Sequence, residues 1–402
     1  MHYHRIAMSP LKLVLSEFAW DERYRVLAGQ EVLTPALLVY PQKVALNVSR
    51  TLHLLGGDPN RWRVHIKTAK LGYTLRMLVE NGVRNFKCAT TLELWIGCQN
   101  GAEDILLAYP VMGANARRAS EIARQFPRVR ISTLAENEGQ VNQWRNSSVG
   151  IFIDINPGMN RTGVPQGDTS AVIALARKIL DSGIDFRGLH YYDGQFGGIG
   201  EPERTRAAQA GYASLLALIS KLERNHIKVP EVVTAGTPTF PSSLDYKPFN
   251  NQEFLHRVSP GTIVYCDATS LAQLPPSYGY APSVLVLSRI VSQPRKGIVT
   301  CDAGHKAVSA DAGIPTCLVV GHSDLTPLSP SEEHLPMECK QTEPRVGDPL
   351  YLLPRHVCPT VNNFDTALLV RDGIIQSEEP VSARGHEKSF AGSSESAIGK
   401  RN

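Results

Sequence analysis

Between residues 34 and 272, short apolar runs rich in β-branched residues alternate with longer segments of helical period, the pattern of repeated β-α units around a parallel sheet. Strand-like runs fall at 35–40, 64–68, 85–90, 104–109, 129–135, 150–155, 185–192 and 231–236, and helices are predicted between them at 71–81, 91–100, 114–126 and 204–225. Eight such units predict an α/β fold of the (β/α)8 TIM-barrel type. An open doubly wound sheet is the alternative. It would carry a glycine-rich nucleotide turn after its first strand, and Tyr40-Pro41-Gln42-Lys43 is no such turn. Beyond residue 283 the pattern changes to β-branched alternation without long helices, at 284–291, 298–301, 316–321, 349–354 and 367–370, followed by the turn Asp372-Gly373. The expected organisation is an N-terminal segment over 1–30 that can join the β domain, a barrel over 31–275, a C-terminal all-β domain over 276–386, and a disordered tail over 387–402.

Composition narrows the function classes. A chain of 402 residues with 42% hydrophobic content can bury the core of a large barrel and a second domain. The net charge of +4 is small and no run of five basic residues occurs, so nucleic acid is not an expected partner. Seven widely spaced cysteines without a CxxC pair predict reduced thiols and a cytoplasmic protein. Residues 1–15 lack the apolar region of a secretion signal, and no apolar stretch approaches the ~18 residues needed to cross a bilayer, so no membrane association is expected.

The chemistry concentrates where barrel strands end. In the run at 64–68, Val64, Ile66 and Thr68 share one face while His65 and Lys67 share the other. An ammonium on an inner face needs an anion, a cavity or a cofactor, and lysine is the residue that can hold an aldehyde cofactor as a Schiff base. Taken alone, the segment would also suit a surface lysine at a strand end. The other strand ends carry Lys87 with Thr90, Tyr109, Asp154 with Asn160 and Arg161, then His190, Tyr192 and Asp193. The turn Gly236-Thr237-Pro238-Thr239 offers backbone N–H groups and two hydroxyls suited to a phosphate. In the β domain His356 and Cys358 stand two apart. In an extended segment they point to one side and can grip one divalent ion, although a buried cysteine is more often just a small apolar side chain.

The motifs Thr34-Pro35-Ala36-Leu37-Leu38, His65-Ile66-Lys67-Thr68, Lys87-Cys88-Ala89-Thr90-Thr91, Gly158-Met159-Asn160-Arg161-Thr162-Gly163, Tyr192-Asp193-Gly194 and Gly236-Thr237-Pro238-Thr239-Phe240 occur in this order. Together they resemble the metal-activated D-threonine aldolase and D-serine dehydratase group of pyridoxal-phosphate enzymes. That group has the alanine racemase-like arrangement of barrel and β domain, fold type III among pyridoxal-phosphate enzymes. The resemblance implies Lys67 as the cofactor lysine, Gly236, Thr237 and Thr239 in the phosphate cradle, Arg161 and Tyr192 around the pyridoxal ring, and His356 and Cys358 as the metal motif. Thiolate with imidazole points first to zinc, with manganese or magnesium as alternatives. Two positions depart from the group: Ala69 and Gln195 stand where relatives often have histidine, and if either histidine is the proton acceptor there, this chain must use another base, such as His190 or a metal-bound hydroxide. His305 and Glu332-Glu333 also lie in family-like segments.

The activity implied is that of a lyase on D-configured β-hydroxy-α-amino acids, cleaving Cα–Cβ to glycine and an aldehyde. Three alternatives stand beside it: β-elimination to a 2-keto acid and ammonia, a racemase, and a non-catalytic pyridoxal-phosphate carrier. A small D-amino acid is the expected partner, and relatives of this architecture imply a homodimer.

Overall fold

Eight parallel strands surround the barrel axis in the computed structural model, which describes residues 22–341 and 344–388. The expected tail therefore lies, from residue 389 onward, outside the described residues, as does residue 1–21 of the N-terminal segment. Strand β1 (Ala36–Val39) precedes the barrel, whose strands run in the order β2 (Arg63–His65), β3 (Asn85–Cys88), β4 (Asp104–Leu107), β5 (Arg130–Ala135), β6 (Gly150–Asn156) with the short β7 (Val164–Pro165) at its edge, β8 (Phe186–Tyr191), β9 (Glu231–Thr234) and β10 (Leu255–Val258). A parallel bridge between Trp62 and Val258 brings the last strand to the first, and the buried Trp62 indole donates to the Pro260 carbonyl at 2.8 Å. The barrel is nearly closed. The helices at Gly72–Glu80, Thr91–Gln99, Gly113–Gln125 and Glu203–Arg224 lie within one residue of the positions expected from periodicity.

The strand assignment needs one correction at each end of the barrel. The run at 35–40 supplies β1, which pairs antiparallel with β11 (Val284–Arg295) in the second sheet. The eighth barrel strand is β10, Leu-His-Arg-Val, which the apolar pattern passes over because two of its four side chains are polar. Those two find partners inside: His256 Nε2 meets Thr234 Oγ1 at 2.8 Å, and Arg257 pairs with Glu231.

Inside the barrel, side chains stack in layers. Near the N-terminal strand ends, Arg63 contacts Asp104 and Glu231 at 2.9 Å each, and Arg187 contacts Asp104 at 2.6 Å. The two guanidinium groups hold the Asp104 carboxyl well below the usual range, against the opposing effect of burial. Above them Leu106, Leu134, Phe152 and Val233 form an apolar plug, with Arg63 and Arg187 against the Phe152 ring at 5.7 and 5.4 Å. The polar residues of the mouth lie on the other side of this plug, toward the C-terminal strand ends.

The second sheet is built by β1 and β11 with β12 (Ile298–Cys301), β13 (Cys317–Val319), β14 (Leu325–Pro327), β15 (Leu335–Cys339), β16 (Pro349–Pro354), β17 (Thr366–Arg371) and β18 (Ile374–Pro380). Strand β1 sits in its middle, antiparallel to β11 and parallel to β17. The β17–β18 hairpin turns through Asp372 and Gly373, both with positive φ, which is the two-residue turn the sequence announces. All seven cysteines are free, and no helix among the described residues is long and apolar enough to cross a membrane.

The basal ion cluster should dominate stability. Replacing Glu231 by Leu leaves the buried Arg63 and Arg257 without an acid they share, and about 3–5 kcal/mol should be lost in urea unfolding. The exposed pair Arg84–Glu103 provides the contrast, with Arg84→Ala costing less than about 1 kcal/mol.

Candidate active site

β2 ends at His65, earlier than the expected run 64–68, and Lys67 stands in the turn two residues beyond it, at the C-terminal strand ends that form the barrel mouth. Its backbone N–H donates to His65 Nδ1 at 3.3 Å. Burial works against its ammonium, but the Tyr192 hydroxyl and the Cys358 thiol nearby outweigh burial and raise its pKa above that of an ordinary lysine. The next residue, Thr68, places its hydroxyl 3.0 Å from Cys358 Sγ. Two residues 290 positions apart thus meet at the mouth, so this chain's own β domain delivers the cysteine to the lysine.

The HxC pair is not extended as the sequence suggested. His356 is the N-cap of a helix at Val357–Asn362, and Cys358 is the second residue of that helix. The cause is a buried carboxylate from the end of the barrel: Asp267 accepts the Val357 N–H at 3.0 Å and starts the turn. His356 Nδ1 bonds Asp311 Oδ2 at 2.6 Å. The imidazole is disfavoured as a cation by burial, yet Cys358 and Asp311 together push its pKa up to about 11. Burial alone would raise the Cys358 thiol; His356, Lys67 and Thr68 together lower it.

An imidazole oriented by a carboxylate through its second nitrogen, facing a thiolate, is a donor set that suits a soft divalent ion. These are two ligands, and among the described residues no group of three or more His, Cys, Asp or Glu side chains is arranged to hold a metal. Asp311 and Asp267 carry no sequence signal: each acts from a segment far from residues 356–358.

The turn after β9, two strands from β2 around the barrel, holds the candidate phosphate cradle. Gly236 lies so close to Tyr192 that an added Cβ would stand 2.9 Å from its ring. Thr237 Oγ1 is buried without a hydrogen-bond partner, the position of a hydroxyl that a phosphate oxygen can satisfy. Thr239 behaves differently. Its hydroxyl donates to Asp193 at 2.6 Å, and Asp193 also accepts from Tyr212 at 2.6 Å, so Thr239 shapes the turn from within. The Arg161 guanidinium lies over the Tyr192 ring at 4.7 Å. A reactive amine at one end and an unsatisfied hydroxyl in a glycine turn at the other fit an aldehyde cofactor that carries a phosphate.

Beneath the mouth, His190 Nδ1 is 2.7 Å from Asp154 Oδ1, and Asp154 accepts from Thr162 at 2.7 Å. Burial, with Lys87 nearby, lowers the His190 pKa against the pull of Asp154, so the ring is neutral at pH 7. Of the other strand-end candidates, Thr90 caps the helix at Thr91–Gln99 by accepting from Glu93 N at 3.0 Å, and Tyr109 is 54% exposed. Asn160 adopts positive φ and bonds Asn156. Glu332 and Glu333 form exposed ion pairs with Lys306. The His305 backbone N–H bonds Ser331, which ties these two loops together within the β domain.

Residues 40–269 match the alanine racemase N-terminal domain family, and residues 283–370 match the putative serine dehydratase domain. A D-threonine aldolase of Arthrobacter sp. is 27% identical over 81% of this chain and 86% of its own length. Among solved structures, a D-threonine aldolase from Filomicrobium marinum superposes with a TM-score of 0.81 at 23% identity, covering 89% of this chain and 97% of the other. A D-threo-3-hydroxyaspartate dehydratase with one cysteine changed to alanine, solved in its metal-free form, gives a TM-score of 0.76 at 21% identity, covering 90% and 99%. At these identities both structures speak for the fold.

Gly236→Ala presses a methyl group onto the Tyr192 ring. It should weaken pyridoxal phosphate binding to the apoprotein about tenfold, or ~1.4 kcal/mol, in an absorbance titration, with the melting temperature little changed.

Proposed function

The chain belongs to the family of the alanine racemase N-terminal domain, and on that footing we propose a pyridoxal-phosphate- and metal-dependent lyase that cleaves D-β-hydroxy-α-amino acids to glycine and an aldehyde. One observation carries this reading: Thr68, next to Lys67, places its Oγ1 3.0 Å from Cys358 Sγ at the same mouth that holds a glycine turn with a buried hydroxyl without a partner. A covalent anchor, a soft metal ligand and a phosphate cradle are what this chemistry requires in one place.

Lys67 would bind the cofactor aldehyde, Thr237 and the backbone of Gly236 its phosphate, and Arg161 and Tyr192 would orient its ring. Bound there, the cofactor supplies the electron sink for bond cleavage next to the amino group. His356 and Cys358 would hold a divalent cation, zinc by the softness of the thiolate, as the Lewis acid for the substrate's β-hydroxyl. Asp311 keeps the imidazole turned toward the thiolate, and Asp154 keeps the His190 tautomer fixed, with its proton on Nδ1.

A second reading, loss of the β-hydroxyl as water to give a 2-keto acid and ammonia, draws on the serine dehydratase match over residues 283–370 and on a cysteine being the residue replaced in the metal-free relative. The two readings share every residue named above. A homodimer is part of the proposal: Tyr109 and Met112, both more than half exposed after β4, offer apolar surface that a second copy could cover. Gel filtration at the mass of one chain, 44.1 kDa, would rule it out.

Purified protein incubated with D-threonine should yield glycine and acetaldehyde, and with D-serine little keto acid. Ammonia with 2-oxobutanoate from D-threonine would establish the second reading instead. EDTA should abolish turnover and zinc restore it, and Lys67→Ala should lose both turnover and the visible cofactor band.

A further inference from the structure

At the base of this barrel the buried cations are held in close ion pairs, and at the mouth one buried cation is not. The basal arginines sit against Asp104 and Glu231, whereas Lys87 on β3, only 3% exposed, makes no close ion pair with a carboxylate among the described residues. Its amine has two neighbours: His190 Nε2 at 3.4 Å and the face of the Tyr192 ring, 5.6 Å to the centroid. A lysine kept inside a protein for structural reasons is ordinarily paired, as Lys70 is with Glu93 at 3.0 Å. Lys87 is instead aimed at the same ring that Arg161 covers from the mouth.

The orientation of His190 explains how the amine is held. Its Nδ1 is committed to Asp154, so Nε2 presents a lone pair, and a Lys87 N–H points at it. His190 is thus occupied on both nitrogens and is not itself open to substrate. Ala69 and Gln195 bring no ionisable group. The amine that stands between His190 and Tyr192 is Lys87.

We propose that Lys87 is the proton-transfer residue of this site, taking the proton of the substrate's β-hydroxyl and returning it to the glycine product, with the His190–Asp154 pair holding its amine in line. The proposal rests on the lyase reading above. The β-oxygen–hydrogen bond breaks toward Lys87 Nζ, and the carbon–oxygen bond becomes the aldehyde carbonyl. The Cα–Cβ bond opens with its electron pair left on the glycine fragment. The ammonium proton then passes to that fragment, so Lys87 ends as it began and no further reactant is consumed.

The surroundings suit an amine that changes charge. Burial, then Lys67 and Arg161, with the deeper Arg63, push the Lys87 pKa down to about 7 against the opposing pull of Asp154. The remaining titratable groups around it are His65 from β2, His190 on β8, and Tyr192 and Asp193 just beyond β8. Because the pKa is depressed, the amine is free to accept a proton above about pH 7 and blocked below it, so kcat should fall as pH drops through that value.

The test uses the holoenzyme labelled at lysine Cε. One carbon resonance should titrate near pH 7 and be missing from Lys87→Arg; if every lysine carbon titrates above about pH 9, the proposal fails. In parallel, Lys87→Met and Lys87→Arg should lower kcat for D-threonine by about 10²–10⁴, with KM shifted less than about threefold, the cofactor band kept and the acid limb abolished. A Lys87→Met enzyme with kcat within about threefold of wild type and the same limb would overturn it. Should Lys87→Met not fold, Lys87→Arg and the titration of the unmodified holoenzyme still decide. Wild-type protein that cleaves no D-β-hydroxy amino acid removes the lyase reading and this proposal together, whereas cleavage that ignores Lys87 removes only the proposal.

Discussion

The buried contacts of Arg63 with Asp104 and Glu231, extended by Arg187 and Arg257, join five of the eight barrel strands across the axis. Charge in a barrel interior is tolerable only when it is paired at close range, and here the pairing crosses the seam between β10 and β2. Everything at the mouth presupposes that closure. Thr68 and Thr262, which both face Cys358, come from opposite sides of the seam, one after β2 and the other after β10. A barrel left open there would leave Lys67 without the wall that carries its thiol neighbour.

The two sheets are joined by specific polar contacts as well as by packing. Asp267, buried at the end of the barrel segment, starts the short helix that carries Cys358, and Asp311 fixes the ring of His356 from the β domain. Each motif residue therefore answers to a carboxylate in a different part of the chain. The same logic holds under the mouth, where Asp154 on β6 sets the tautomer of His190 on β8. Positive charge from Lys67, Lys87 and Arg161 gathers around Tyr192. That concentration favours an anionic occupant.

Much of this was readable from residue order, and what was not has physical causes. The four helices expected from periodicity lie within a residue of their observed positions, helped at Thr91–Gln99 by the local cap of Thr90, whereas Pro41–Leu54 and Thr169–Asp181 are not among them. The barrel strand count came out at eight by compensating misreadings. Strand β1 looks like any buried strand, and only its partner Val284–Arg295, some 250 residues on, says which sheet it joins. Strand β10 hides because its polar side chains are satisfied from afar. Among the candidate site residues, Lys67, Arg161, Tyr192, His356 and Cys358 stand out by motif. Asp311, Asp267 and the approach of Lys87 to His190 do not, since they depend on distances between segments. The bond from the Thr239 hydroxyl to Asp193 is likewise invisible in the turn sequence, because it joins positions 46 residues apart.

The position of β1 bears on how the polypeptide is made. Its neighbours β11 and β17 leave the ribosome only after the whole barrel sequence has emerged, so β1 is without both partners while the barrel strands are made. Four apolar residues, Ala36 to Val39, are then exposed as a sticky edge for that interval. The arrangement makes the pairing of β1 wait for the β domain, the same unit that brings Cys358 to the barrel mouth.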